Sequence, residues 1–297
     1  MQSVRADNLP LAIGAMLMMT SVMSFGDAVI KGAADTISLW QLFVLRSAIL
    51  LPVLALLALI FARAADLRPR AFGWICVRGG LLVANWIAFY AALPLMPFPL
   101  VAATLYSVPL FTTLFAALLI GETITPLRWA AVGVGFTGVL LVIQPGGSGF
   151  GWGSLLPLAG AFFYALSSIT TRAKCRDEHP LTLAFVLNVI FVATGALGAL
   201  AFSSEGGASF LTFAWRLTDM ALLQEMALLA VFLGVSSIAT AVAFQSGPSS
   251  VVGPLDFTYI GFAVLWGWLL YGEVPGALAT GGIGLIVLGG IVAIRAR

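Results

Sequence analysis

Long, predominantly apolar segments constrain the fold of this chain more than any other feature of its sequence. Stretches of 18 or more mostly apolar residues recur along it, each long enough to cross a hydrocarbon core of roughly 30 Å as a helix. Only 9% of the residues are charged, against about 25% in a typical soluble domain. The runs are continuous, whereas the strands of a membrane barrel alternate apolar and polar residues. The sequence therefore predicts an all-α integral membrane protein.

Charges, prolines and glycines divide the chain into ten predicted transmembrane helices. These spans cover residues 9–31, 37–61, 72–94, 98–120, 126–144, 152–173, 180–202, 222–244, 250–271 and 276–294. Cytoplasmic loops of membrane proteins carry an excess of Lys and Arg. With the N-terminus inside, the cytoplasmic segments hold ten such residues and the outer segments hold two, Lys31 and Arg216. We therefore expect both the N- and C-termini to be cytoplasmic.

The second half of the chain repeats the first. When residues 97–138 are shifted by 151 positions, eleven of 42 are identical, including the "GE" pairs at 121–122 and 272–273. We expect one five-helix repeat over residues 1–145 and a second over 146–297. Because five is odd, the second repeat enters the membrane from the opposite side. Such inverted repeats are typical of alternating-access transporters with a binding site between the halves.

The "GE" pairs themselves have two interpretations. Gly121 and Gly272 can end helices in a left-handed conformation, and Thr125 with Pro126 resembles the start of the next helix. A glutamate near a helix N-terminus also complements the helix dipole. The alternative is a gating ion pair at each mouth of a transport path.

Two stretches, "PFPLVAATLYSVPLFTTLFAALLIGETITPLRWAAVGVGFTGVLLVI" and "SSVVGPLDFTYIGFAVLWGWLLYGEVPGALATGGIGLIVLGG", carry a family resemblance. They resemble the paired EamA domains of the drug/metabolite transporter (DMT) superfamily, especially its bacterial amino-acid and metabolite exporters. The resemblance implies a multi-pass, ten-helix carrier of the cell inner (plasma) membrane that is not an enzyme. Relatives that carry sugar phosphates often have a basic pair in the ninth helix. That helix has no Lys or Arg here, which counts against a phosphorylated substrate.

A glycine pattern in the fifth span has a packing interpretation. Residues 133–138, "GVGFTG", match the dinucleotide fingerprint but lie inside an apolar span without a preceding strand. Glycines at this spacing let helices approach closely, and the tenth span is equally rich in them. These glycines could pack within one chain or across a homodimer, so the sequence is compatible with both oligomeric states. We expect no cofactor and no metal site, because His179 stands alone and the two cysteines lie far apart.

Five residues are candidates for coupling or gating: three lie in the outer half of the first two spans and two lie in hairpins. Asp27 and Lys31 can pair at i, i+4, and Arg46 in span 2 is a second candidate partner for Asp27. A static ion pair and an outer gate or protonatable switch both explain this pattern. Pro97 and Pro248 correspond under the repeat shift and lie in uncharged hairpins that are natural moving gates.

Asp256 is the strongest single candidate, for substrate binding and for coupling. It lies about 9 Å into span 9 with no basic neighbour in sequence, and Tyr259 shares its face. Its carboxylate could bind a substrate ammonium group or take up a proton. A protonated carboxyl that is hydrogen-bonded to a neighbouring helix is the structural alternative.

Further polar and aromatic residues near mid-span are predicted to line a substrate cavity. They are Thr20, Ser24, Asn85, Trp86, Tyr90, Tyr106, Tyr164, Ser167 and Asn188. For any one of them, helix–helix packing is an alternative role. Together they predict a polar but nearly uncharged cavity, which suits a small zwitterion or a neutral aromatic metabolite.

The sequence thus predicts a secondary-active or facilitative exporter of small amphipathic metabolites, with amino acids, including aromatic ones, as substrates. Its expected partners are a small molecule and the lipid bilayer, and no nucleic acid. Two alternatives stay open. One is a carrier of drugs, cations or sugar-type metabolites with the same fold, and the other is a membrane-embedded protein without transport activity.

Overall fold

The computed structural model describes residues 8–61, 68–121, 123–145, 151–175, 177–202, 207–246, 252 and 255–295. Within these residues the chain is helical and contains no strand. The α-helices are α1 Leu9–Ala33, α2 Leu39–Phe61, α3 Phe72–Ala92, α4 Phe98–Leu105, α5 Val108–Phe115, α6 Pro126–Ile143, α7 Leu156–Lys174, α8 Pro180–Phe202, α9 Met220–Ser246, α10 Thr258–Tyr271 and α11 Ala277–Arg295. A π-helical turn, Ala116–Ile120, extends α5, and a 3₁₀ turn, Trp152–Leu155, leads into α7.

Seven segments of the described chain are long and apolar enough to cross a membrane. They correspond to the first seven predicted spans, and the fourth of them, Phe98–Leu119, joins α4, α5 and part of the π-helical turn. Three further apolar helices are shorter: Met220–Ser236, Thr258–Tyr271 and Ala277–Ala293. The protein is therefore a multi-pass α-helical membrane protein, as its apolar runs predict.

Helix packing follows one pattern in both halves of the chain. Helix α3 packs along α7, and α9 packs along α1; α4 and α5 also contact α7, as α10 contacts α1. The pairs α2–α8 and α6–α11 each join equivalent helices of the two halves. Each of these contacts in one half thus has an equivalent contact in the other half. Helices α1 and α7 therefore occupy equivalent central positions.

Glycines bring α6 and α11 into backbone contact within the chain. A Cβ on Gly138 would lie 2.6 Å from the carbonyl oxygen of Gly282, and one on Gly289 would lie 2.7 Å from that of Ala131. No side chain fits at either distance, so the glycines are required for this approach. The "GVGFTG" motif lies wholly inside α6, and its last glycine, Gly138, packs α6 against α11 within one chain.

The helix ends at the "GE" pairs follow the predicted capping chemistry. Gly121 and Gly272 adopt positive φ angles of 77° and 66°, the left-handed region that a glycine enters without strain. Thr125 accepts a hydrogen bond from the backbone N–H of Arg128 and so caps α6, with Pro126 as its first residue. Glu122, the candidate for one of the two gating ion pairs, lies outside the described residues.

Candidate functional site

Two helix breaks lie at nearly equivalent positions of the two halves. The fourth span is interrupted at Tyr106–Ser107, between α4 and α5, and a turn at Asp256–Phe257 precedes α10. Pro109 explains the first break, because it has no N–H to donate to the carbonyl four residues earlier and its ring crowds that carbonyl. Broken helices of this kind form the binding sites of many transporters.

The two breaks meet across the centre of the molecule. The hydroxyl of Tyr106 donates a hydrogen bond of 3.3 Å to Oδ1 of Asp256. The Tyr106 ring stacks on that of Tyr259, with centroids 5.2 Å apart, and lies 5.5 Å from the ring of Phe257. Asp256 thus has an aromatic partner from the other half of the chain.

A cavity of about 420 Å³, the main cavity, opens beside this contact. Its walls come from α1 (Met16, Met19, Met23 and Asp27), α3 (Asn85 and Trp86), the broken fourth span (Leu105, Tyr106, Val108 and Pro109), α7 (Tyr164), α9 (Thr240) and the region of the second break (Asp256, Phe257 and Tyr259). Its volume falls within the range of about 300–1,000 Å³ typical of ligand pockets. Among the described residues of its lining, aromatic and thioether side chains predominate, and the charged groups are two carboxyl groups.

Asp27 forms the second polar centre and links three other helices. Its Oδ2 accepts a hydrogen bond of 2.6 Å from Tyr259, and its Oδ1 accepts one of 3.2 Å from Tyr90. Arg46 in turn donates to the Tyr90 hydroxyl at 3.1 Å. Tyr90 therefore mediates the predicted relation between Asp27 and Arg46, which make no direct ion pair in the described structure.

Lys31 contacts Glu273 rather than Asp27, so the predicted i, i+4 pair is wrong. Its Nζ lies 2.7 Å from Oε1 of Glu273 and donates to the backbone carbonyls of Leu93 and Met96, each at 3.0 Å. Oε2 of Glu273 accepts a hydrogen bond of 2.7 Å from the backbone N–H of Phe98. We call this set the end lock: Lys31, Glu273 and the backbone polar groups of Leu93, Met96 and Phe98. It joins α1, the α3–α4 hairpin and the C-terminus of α10.

A smaller cavity of about 100 Å³, the side cavity, lies on the other side of Asp27. It shares Met23, Asp27 and Trp86 with the main cavity. Tyr90, Asn188 and Arg46 contribute to its lining, together with Ser236. Asp27 and its aromatic neighbours therefore stand at the junction of the two cavities.

Most of the predicted substrate residues surround these cavities, but three do not. The main cavity contains Asn85, Trp86, Tyr106, Tyr164, Asp256 and Tyr259, and the side cavity contains Tyr90 and Asn188. Thr20, Ser24 and Ser167 are buried and line neither of them. The Thr20 hydroxyl lies 2.9 Å from that of Thr258, so it joins α1 to α10 instead. Pro97 precedes α4 in the end-lock hairpin, and Pro248 lies outside the described residues.

Sequence reasoning missed the methionine side of the main cavity and the partner of Lys31. Met16, Met19 and Met23 recur at i, i+3 and i+7 on α1, a spacing that places them on one helix face. That face was visible in the sequence. The charge count placed Lys31 in an outer segment, and the "GE" pair at 272–273 was a candidate for a gating ion pair. Together these were the available signal for the pairing of Lys31 with Glu273.

Comparisons with known proteins agree with this architecture. Residues 10–144 and 151–295 each match the model of the EamA-like transporter family. The chain is 30% identical to a riboflavin transporter of Rhizobium johnstonii over 221 residues, which cover 74% of this chain and 68% of the relative. It is 28% identical to a riboflavin transporter of Vibrio cholerae over 292 residues, 93% of this chain and 90% of the relative.

Two more distant similarities extend over nearly the whole chain. A pseudopaline exporter of Pseudomonas aeruginosa is 26% identical over 295 residues, covering 97% of this chain and 98% of the relative. A crystal structure superposes with a TM-score of 0.62 at 22% identity and covers 97% of both chains. At that identity the structural similarity supports the fold alone. The named relatives are transporters or exporters of small metabolites.

Proposed function

Because the chain belongs to the EamA-like transporter family, within the DMT superfamily, we propose that it carries riboflavin or a closely related flavin across the membrane by alternating access. The observation that carries this proposal is the composition of the main cavity. Aromatic and methionine side chains surround the cavity, and carboxyl oxygens lie at Asp27 and Asp256. Aromatic side chains stack on a planar ring system, and carboxylates accept hydrogen bonds from a polyhydroxyl chain.

The proposed topology consists of ten spans in two inverted five-helix repeats, residues 1–145 and 146–297. The exchange symmetry of the helix contacts, the paired breaks and the two family matches support this division. The loop charges support cytoplasmic termini, and we place the protein in the inner membrane. The end lock then lies at the outer face and is closed, so the main cavity would communicate with the cytoplasm.

Amino acids, including aromatic ones, are the second candidate cargo. The same aromatic lining accepts their side chains, and the carboxyl groups of Asp27 and Asp256 can bind an ammonium group. The relatives named as riboflavin transporters favour the flavin. A flavin also presents more planar surface to the aromatic wall than an amino acid does.

Uptake of radiolabelled riboflavin into proteoliposomes tests the assignment. We expect saturable uptake that unlabelled riboflavin inhibits and that phenylalanine and tryptophan do not. Tyr106→Ala should weaken this uptake, because it removes the ring that stacks on Tyr259 and the donor to Asp256. Inhibition by aromatic amino acids without riboflavin uptake would assign the cavity to the second candidate instead.

A further inference from the structure

Arg46 is a buried cation with unused hydrogen-bonding capacity. The residue is 7% exposed, and its hydrogen bond within the described structure runs from Nη1 to the hydroxyl of Tyr90. Its guanidinium carbon lies 5.8 Å from the Tyr90 ring centroid and 5.5 Å from that of Phe191. Nε is buried and has no hydrogen-bond partner among the described residues. A guanidinium has five N–H donors, and a buried one normally has acceptors for most of them.

Ser236 adds a second unsatisfied polar group to the same side cavity. The residue is 3% exposed, and within the described part of the chain its hydroxyl has no hydrogen-bond partner. It comes from α9, whereas Arg46 comes from α2, so two helices bring donor groups to one small space. Unpaired buried polar groups reduce stability unless a ligand or water satisfies them. The lining of the side cavity therefore offers hydrogen-bond donors that a ligand with acceptor groups can use.

The position of the side cavity relates it to the cargo site. Met23, Asp27 and Trp86 line both cavities, so a ligand in the main cavity can extend one end past Asp27. Asp256 and Tyr106 line only the main cavity. An elongated ligand spanning both would thus meet donors at the Arg46 end and carboxylate acceptors at Asp27 and Asp256.

We propose that the side cavity is an acceptor subsite, in which Arg46 and Ser236 bind a carbonyl or carboxylate group at one end of the cargo. This inference rests on the proposed function of the main cavity as the cargo site. For a flavin, the acceptors are the carbonyl oxygens of the dione ring, and the N–H between them faces Asp27. For an amino acid, the acceptor is the carboxylate. The subsite thereby fixes the orientation of the cargo, with the hydroxylated chain of a flavin towards Asp256.

Binding measurements on the full chain in lipid nanodiscs test the subsite with two flavins. Riboflavin has both the dione and the hydroxylated chain, whereas lumichrome keeps the dione and lacks the chain. We expect Ser236→Ala to weaken both ligands about fivefold, the effect of one lost hydrogen bond. Arg46→Lys keeps the charge but loses the fork of donors and should weaken both at least tenfold, on the order of one charged hydrogen bond. Asp256→Asn should weaken riboflavin and leave lumichrome unchanged.

Ser47 provides a matched control for these variants. It is the neighbour of Arg46 on α2, is fully buried and lines neither cavity, and its hydroxyl has no partner among the residues that the structure describes. Ser47→Ala should leave the affinity for both flavins unchanged. If Ser236→Ala and Arg46→Lys bind riboflavin within twofold of Ser47→Ala, the acceptor subsite is refuted although the proposed cargo stands.

A second ligand pair separates failure of the cargo assignment from failure of the subsite. If riboflavin does not bind the wild type, the flavin assignment fails, and phenylalanine is compared with phenylethylamine, which lacks the carboxylate. Arg46→Lys should then weaken phenylalanine at least tenfold and leave phenylethylamine unchanged. Equal effects on the two ligands, or no binding of either to the wild type, would overturn the subsite.

Discussion

The end lock predicts that one isosteric substitution, Glu273→Gln, opens the end of the transport path where Lys31 lies. The carboxylate lies 2.7 Å from Lys31 Nζ, and it also accepts the backbone N–H of Phe98 at 2.7 Å. The Lys31 and Glu273 side chains are only 12% and 19% exposed, so water screens the pair incompletely. Glutamine keeps the shape and one acceptor oxygen but removes the charge that holds Lys31.

The size of the effect follows from this partial burial. Exposed ion pairs contribute about 0–1 kcal/mol, and removing one partner of a fully buried pair costs about 3–5 kcal/mol. An intermediate figure of roughly 2 kcal/mol applies to the end lock. Since 1.4 kcal/mol is a factor of ten, the substitution should shift the equilibrium towards the open end by about 30-fold.

Cysteine accessibility measures this shift. Met23 lines both cavities and lies two helical turns from Lys31 on α1, so Met23→Cys reports on opening at this end. In a background without Cys76 and Cys175, a membrane-impermeant thiol reagent is added to the outside of right-side-out vesicles. The labelling rate should rise about 30-fold when Glu273→Gln is introduced, because the reagent reacts only with the open state.

A double-mutant cycle and an exposed pair provide the controls. Lys31→Met combined with Glu273→Gln should label little faster than either single variant, since both remove the same interaction. The pair Arg216–Asp219 is about half exposed, so Asp219→Asn should leave the rate unchanged. An unchanged rate in Glu273→Gln, or additive effects in the double variant, would refute the interpretation of this ion pair as a lock.

Three further outcomes follow from the described contacts. Gly138→Leu should lower the melting temperature, because overpacking the α6–α11 contact costs about 1–3 kcal/mol of stability or more. Gly133 faces open space in the described structure, so Gly133→Leu should leave the melting temperature unchanged. Equal melting temperatures for the two variants would contradict the α6–α11 contact. The hydrogen bond from the Leu222 backbone N–H holds the pKa of Asp219 below its usual value, so Asp219→Ala should reduce thermal stability at neutral pH. That difference should vanish as the pH falls through the folded-state pKa and the carboxyl protonates, and a difference that persists in acid would exclude this cap. Finally, Asp256→Asn should leave counterflow intact at saturating riboflavin and abolish its response to a pH gradient, and a retained response would assign coupling to another group.

The helices were predictable because a long apolar stretch indicates, from its own residues alone, a helix surrounded by lipid. Span limits from the sequence agree with α1, α2 and α8 to within two residues at either end. The break in the fourth span follows from Pro109, whose effect on the backbone is local. The capping roles of Gly121, Gly272 and Thr125 are local as well, and the structure confirms them.

The partners of the charged residues were not predictable from local spacing. Lys31 meets Glu273 across 242 positions of sequence, and Asp27 meets Tyr259 across 232. Spacing within one helix favoured an Asp27–Lys31 pair, but helix packing turns the two side chains towards different neighbours. Thr20 and Ser24 were assigned to a cavity for a related reason, since a polar helix face has the same sequence pattern whether it meets solvent or another helix.

Counterflow in proteoliposomes tests the central claim, that the chain is an alternating-access carrier with its cargo site in the main cavity. Vesicles are loaded with unlabelled riboflavin, and entry of labelled riboflavin is followed for the wild type and for Tyr106→Ala. The account predicts saturable entry that internal riboflavin accelerates and that Tyr106→Ala reduces. Entry that rises without saturation and is indifferent to internal riboflavin would indicate a passive pore, and saturable exchange that Tyr106→Ala leaves unchanged would place the cargo elsewhere.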